Sequence, residues 1–105
     1  MTNASTFAAL ADKHRLEIIQ RLAHTPLSVG TLASHFSISR PAISQHLKVL
    51  SDAGLVDVRQ VGTRRIYAIN RHTIADMRAH LDGLWNDALA AYADAAQTLS
   101  EQDTP

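Results

Sequence analysis

The segment Ser39-Arg40-Pro41-Ala42-Ile43-Ser44-Gln45-His46-Leu47-Lys48-Val49-Leu50 carries side chains that can read a nucleic-acid duplex. Ile43, Leu47 and Leu50 recur at helical spacing and point to a core. Ser39, Arg40, Pro41, Ser44, Gln45 and Lys48 fall on the opposite side. A glutamine amide can hold adenine through two hydrogen bonds and a guanidinium can hold guanine in the same way, while serine suits phosphate or a base edge. The major groove accepts one α-helix, whose first turns reach the base edges. A surface-polar helix of ordinary composition is the competing explanation, and a second basic group is what separates the two. Arg64 and Arg65 supply that group. A long cationic side chain there can enter the minor groove or pair with phosphate. Strand alternation predicts that one of the two, Arg64, faces DNA while Arg65 lies along the sheet.

The histidines suggest less. His46 stands beside Leu47 at the edge of the inward face, where a packed, hydrogen-bonded imidazole fits better than a base contact. His72, Asp76 and His80 step by four along one helix face. Two imidazoles and a carboxylate could hold zinc or nickel, above all with a ligand from another chain. A solvated helix face has the same composition, so the expectation is no metal and no cofactor. His14, His24 and His35 are scattered and receive no role.

The elements that must position these residues can be traced along the chain. Thr2 to Thr6 is polar and reads as a frayed end, with Ser5 or Thr6 able to cap a short helix carrying Phe7 and Leu10. Asp12 can cap the next helix, whose Leu16, Ile19 and Leu22 share a face with Ile18 beside them; it stops before Thr25-Pro26. Ser28 caps a third helix, about 28–36, with Leu32 and Phe36 inward, and Ser37-Ile38-Ser39 forms a tight turn. Ser39 then caps the helix described above, with Pro41 in its first turn and Gly54 as its stop. Two helices joined in this way, over about 28–53, make a helix-turn-helix.

Beyond it, Leu55–Gln60 and Arg65–Ile69 are rich in β-branched and aromatic residues and flank Val61-Gly62-Thr63-Arg64. They predict a hairpin, about 55–69, with Gly62 at the turn and a basic tip. The last third, about 71–99, reads as one helix. Ile74, Met77, Leu81, Leu84, Ala88, Tyr92, Ala95 and Leu99 step along it by three or four, with Trp85 and Leu89 widening the stripe. At 1.5 Å per residue it is roughly 40 Å long, more than so small a core can cover. A second copy of the chain is the simplest cover, with Phe7 and Leu10 joining Ile74, Met77, Leu81, Leu84, Trp85, Ala88 and Tyr92 in the interface.

Composition bounds the rest. The chain has 105 residues, 46% of them hydrophobic and 19% charged, so one globular domain over 1–105 is expected. No cysteine is present, which excludes disulfides, thiolate metal sites and a cysteine nucleophile. No secretory pattern opens the chain and no apolar run approaches a membrane span, so a cytoplasmic location without membrane contact is expected. The formal net charge is zero, yet residues 40–71 hold six basic groups against two acidic ones, and residues 79–105 hold five acidic groups and no lysine or arginine. A basic middle suits a polyanion partner. An enzyme needs a nucleophile–base pair or a metal in a pocket, and neither is legible.

Ala9-Leu10-Ala11-Asp12-Lys13-His14-Arg15-Leu16-Glu17-Ile18-Ile19, Val29-Gly30-Thr31-Leu32-Ala33, Ile43 through Val56 and Gly62-Thr63-Arg64-Arg65-Ile66-Tyr67 together resemble the ArsR-type winged-helix repressor family. The resemblance covers roughly residues 5–97. It implies a mainly helical winged helix-turn-helix with a small β-hairpin, paired through its first and last helices. It also implies repression from a palindromic double-stranded operator, relieved in the family by inducers that are usually metals or metalloids. The sequence departs from the family where sensing is concerned. Ser28 and Gly30 stand where arsenic and cadmium sensors carry a cysteine pair, and neither offers a soft thiolate. Arg71, Thr73, Leu84 and Asp87 stand where zinc sensors carry harder ligands, and only Asp87 could coordinate. The expected function is a sequence-specific, homodimeric repressor without the usual family metal sites and with no inducer indicated. The alternatives are a metal-responsive repressor using the His72-Asp76-His80 face, or a winged-helix protein-interaction module.

Overall fold

Four polar side chains start the helices that matter. In the computed structural model, which describes residues 3–102, the order is α1 (Asn3–Ala9), α2 (Lys13–Leu22), β1 (Leu27–Ser28), α3 (Val29–Ala33), α4 (Arg40–Asp52), β2 (Val56–Val61), β3 (Arg64–Ile69) and α5 (Arg71–Gln102). Asp12 Oδ1 accepts from the backbone N–H of His14 at 2.8 Å and of Arg15 at 3.1 Å. Ser28 accepts from Thr31 N at 3.2 Å, Ser39 from Ala42 N at 3.3 Å and Asn70 from Thr73 N at 3.0 Å. Each bond satisfies a donor that its helix leaves unpaired. α4 ends where Gly54 takes a φ of 75°, which lets Leu55 N donate to Leu50 O at 2.9 Å and Gly54 N to Ser51 O at 2.9 Å. The backbone of Leu55 is also held from its other side, because Asn70 N donates to Leu55 O at 2.9 Å.

The core lies where α2, α3 and α4 meet the start of the sheet. Ile18, Leu32, Ile43, Leu47, Leu50 and Leu55 are fully buried, with Leu22, Val56 and Met77 beside them. Burying each such side chain contributes about 1.5–3 kcal/mol. β2 and β3 pair antiparallel from Val56↔Ile69 to Val61↔Arg64, closed by the two-residue turn Gly62-Thr63 with Gly62 at a φ of 64°. A glycine at the first central position is the residue such a tight hairpin favours.

Several details differ from the sequence reading. The sheet has three strands in the order β1-β3-β2, because Leu27 and Ser28 pair with Tyr67 and Ile66. α3 ends at Ala33, so residues 34–39 join it to α4, not a three-residue turn. Serine-rich sequence after Ala33 favours local turns over another helical turn. Leu16 faces outward at 42% exposure, and Ile18, Ile19 and Leu22 form the inward set. Ser5 and Thr6 lie inside α1, not at its cap; Thr2 is outside the described residues.

α5 leaves the core after its first two turns. Met77 is buried in the protomer's own core and Ile74 packs against it. Beyond them Leu81, Leu84, Trp85, Leu89, Tyr92 and Leu99 are 50–74% exposed. The 32-residue helix spans roughly 48 Å. The molecule accordingly measures 75 × 26 × 22 Å, with a radius of gyration of 19.8 Å. A compact chain of this length has one of about 13 Å.

Candidate nucleic-acid interface

The face of α4 opposite its buried stripe is open along its length. Ser39, Arg40, Pro41, Ser44, Gln45 and Lys48 are all exposed, whereas Ile43, Leu47 and Leu50 are buried. Pro41 has no N–H to lose in the first turn, so the helix starts cleanly at Arg40. Lys48 Nζ lies 3.2 Å from Asp52 Oδ2 on the same face. Both side chains are largely in water, where such a pair contributes at most about 1 kcal/mol. Lys48 can therefore exchange Asp52 for another anion.

The wing and the start of α4 converge. A cleft of about 550 Å³ opens between α3, Arg40 and the hairpin tip, with Gly30, Thr31, Arg40, Thr63, Arg64 and Arg65 in its lining. Three lining side chains are guanidinium groups and none is acidic. Over Gly30 the Arg40 guanidinium passes 3.8 Å from where a Cβ would stand. Arg64 and Arg65 are both exposed and both line the cleft. Arg64 is paired with Val61 and Arg65 with Gln60 in the unbroken register of the hairpin. Gly30 and Thr31 lie on α3, whose Ser28 cap and inward Leu32 mark the helix but not which of its small residues face the wing.

His46 is half-buried, as a packed histidine would be, and its neighbours were not foreseen. Its Nδ1 lies 3.9 Å from Asp12 Oδ1 and 3.5 Å from Arg15 Nη1, and its ring centroid is 5.5 Å from that of His14. The backbone N–H of Arg15 holds the Asp12 carboxyl below the usual carboxylate range; the N–H of His14 and the charges of His46 and Arg15 act in the same direction against desolvation. His72 pairs with Asp76 at 3.4 Å, while the His80 ring lies 6.0 Å from the Phe7 ring. Ser28 and Gly30, the positions of interest for soft metals, are occupied otherwise: the Ser28 hydroxyl caps α3 and donates to Thr31 Oγ1 at 3.0 Å, and Gly30 lies beneath Arg40.

The residues expected in a dimer interface fall into two groups. Phe7, Leu10 and Ile74 are partly buried against the core, and Met77 is inside it. Leu81, Leu84, Trp85, Ala88 and Tyr92 form an uncovered apolar stripe on α5. Among the described residues no helix is long and apolar enough to cross a membrane.

Known proteins share this fold. Residues 10–59 match a family model described as a helix-turn-helix domain. An HTH-type transcriptional regulator of Mycobacterium tuberculosis is 53% identical over 85 residues, 81% of this chain and 79% of the relative. The structure of an ArsR-like transcriptional regulator from Rhodococcus sp. RHA1 superposes with a TM-score of 0.76 at 34% identity, covering 90% of this chain and 92% of that one. The homodimeric winged helix-turn-helix DNA-binding domain from Mycobacterium bovis superposes with a TM-score of 0.65 at 30% identity, covering 82% and 80%.

Proposed function

The chain belongs to the ArsR family of winged helix-turn-helix transcriptional regulators, and from that membership we propose that it is a homodimeric, cytoplasmic repressor of a palindromic operator. The observation that carries this reading is the convergence of Arg40, Arg64 and Arg65 on one cleft free of acidic side chains, beside the open face of α4. α4 enters the major groove with Arg40, Ser44 and Gln45 toward the base edges. Ser39, Pro41 and Lys48 lie along the backbone, and Arg64 and Arg65 add charge from the wing. Two protomers pair through Leu81, Leu84, Trp85, Ala88 and Tyr92, with Phe7 and Leu10 at the edge. That pairing sets the two α4 helices about one helical turn of DNA apart.

Repression here does not use the thiolate chemistry of arsenic sensors. The chain has no cysteine, and Ser28 is already engaged as a helix cap. Arsenite, which requires soft sulfur ligands, leaves operator affinity unchanged.

Selection of bound duplexes from a random pool, followed by sedimentation of the complex, tests the proposal. The expected outcome is an inverted repeat occupied by two protomers, bound with steep salt dependence. Binding without sequence preference, or by a single protomer, would refute it.

A further inference from the structure

Asp12, His14 and His46 make a constellation outside the DNA-facing set, at the junction of α2 with α4. Nδ1 of His14 lies 4.0 Å and Nδ1 of His46 lies 3.9 Å from Oδ1 of Asp12. One ligand atom from each residue lies within 4.8 Å of the other two, and among the described residues no other three such side chains gather this closely. We propose that this is a binding site for a divalent transition-metal ion of the zinc and cobalt class, and that its occupancy is felt by α4.

Two imidazole nitrogens and one carboxylate oxygen are a complete protein set for such an ion, with the fourth position left to water. Metal–nitrogen bonds of about 2.0 Å in tetrahedral geometry put ligand atoms about 3.3 Å apart. The site must therefore contract by about 0.6–0.7 Å along the two edges that meet at Asp12, and by up to about 1.5 Å between the imidazoles, through side-chain rotation. The side chains are 19–35% exposed, enough for an ion to enter and too little for them to be fully hydrated. Asp12 is already oriented, because its Oδ1 accepts two backbone N–H groups. Its Oδ2 takes part in neither bond, so the carboxylate can accept a cation and still cap α2.

Arg15 is the group an ion must displace. Its Nη1 reaches His46 Nδ1 only at 3.5 Å, whereas its Nε donates to Ala9 O at 2.6 Å. The guanidinium thus keeps its strong anchor when the long contact to His46 is surrendered. His46 is the neighbour of Gln45 on α4, so an ion that ties it to the N-terminus of α2 fixes the placement of the helix that meets DNA. This coupling rests on the functional reading above; the metal site itself does not.

Titration of the full chain with Co²⁺, read by its visible absorption, tests the site. The expected result is one ion per protomer, displaced by Zn²⁺. Asp12→Asn keeps an oxygen acceptor for the cap, and His14→Gln keeps a polar side chain at a half-buried position. Each weakens Co²⁺ binding by more than the roughly tenfold that follows loss of an outer-sphere partner, with unchanged far-ultraviolet circular dichroism. His72→Ala leaves it unaltered. Binding in either variant equal to that of the native chain, or loss in His72→Ala instead, overturns the site. Zn²⁺ should then shift operator affinity by about fivefold or more in the native chain and not in His14→Gln; no shift overturns the coupling. A chain that binds Co²⁺ as expected yet selects no duplex refutes the operator reading and leaves the metal site standing.

Discussion

The guanidinium of Arg40 lies over Gly30, with Nη1 3.8 Å from the point a Cβ would occupy there. The first residue of α4 is thereby laid against α3, across the one position in that helix without a side chain. A methyl group at that distance makes ordinary van der Waals contact, and Gly30 has no positive φ to lose. Gly30→Ala is therefore expected to stabilise the protein by up to about 1 kcal/mol through helix propensity. Thermal unfolding beside operator titration checks it: Tm rises while affinity holds. A tenfold loss of affinity would show instead that Arg40 needs the open approach.

Reading and anchoring should separate by mutation. Gln45→Ala should cost about 1–3 kcal/mol on the best duplex and much less on scrambled DNA, relaxing one position in each half-site. Arg64→Ala should weaken all sequences by similar factors and reduce the salt slope by about one phosphate contact per protomer. Anisotropy titrations of both variants at several salt concentrations measure this. The opposite pattern would reverse the roles of helix and wing.

The stripe on α5 gives a test that spares the protomer. Leu84 is 61% exposed, so Leu84→Glu removes little from the protomer's own core. The substitution should leave far-ultraviolet circular dichroism intact while producing monomers and abolishing specific operator binding. Sedimentation equilibrium decides it. A variant that stays dimeric at micromolar concentration would place the interface elsewhere.

The depressed carboxyl of Asp12 makes a signed pH prediction. A group whose folded pKa is lowered stabilises the fold above its unfolded value of 3.8 and loses that contribution as pH falls through the folded value. Asp12→Ala should lower Tm at neutral pH, and the gap to the native chain should close below pH about 4. A gap that stays constant down to pH 2 would mean that the carboxylate charge contributes nothing to the cap.

Much of this architecture was legible because it is local. Asp12, Ser28 and Ser39 announce their helices by residue type and by the apolar period that follows, and Gly54 and Gly62 sit where only glycine is comfortable. The span of α5 is legible in apolar residues that step by three or four from Ile74 to Leu99. What escaped was tertiary. β1 is two residues long and owes its existence to pairing with Tyr67 and Ile66, so no alternation could reveal it. Leu16 has a suitable spacing for the core, yet the wider Ile18-Ile19-Leu22 arc takes that side. His14 and His46 are distant in sequence and meet only because α2 packs on α4.

The two hydrogen bonds on the backbone of Leu55 have a mechanical consequence. Its N–H is gripped by the end of α4 and its C=O by Asn70, the residue that caps α5. α4 and α5 are thus tied to each other through the backbone of one residue. If two copies join along α5, a swivel of one long helix against its twin would reach α4 through that residue.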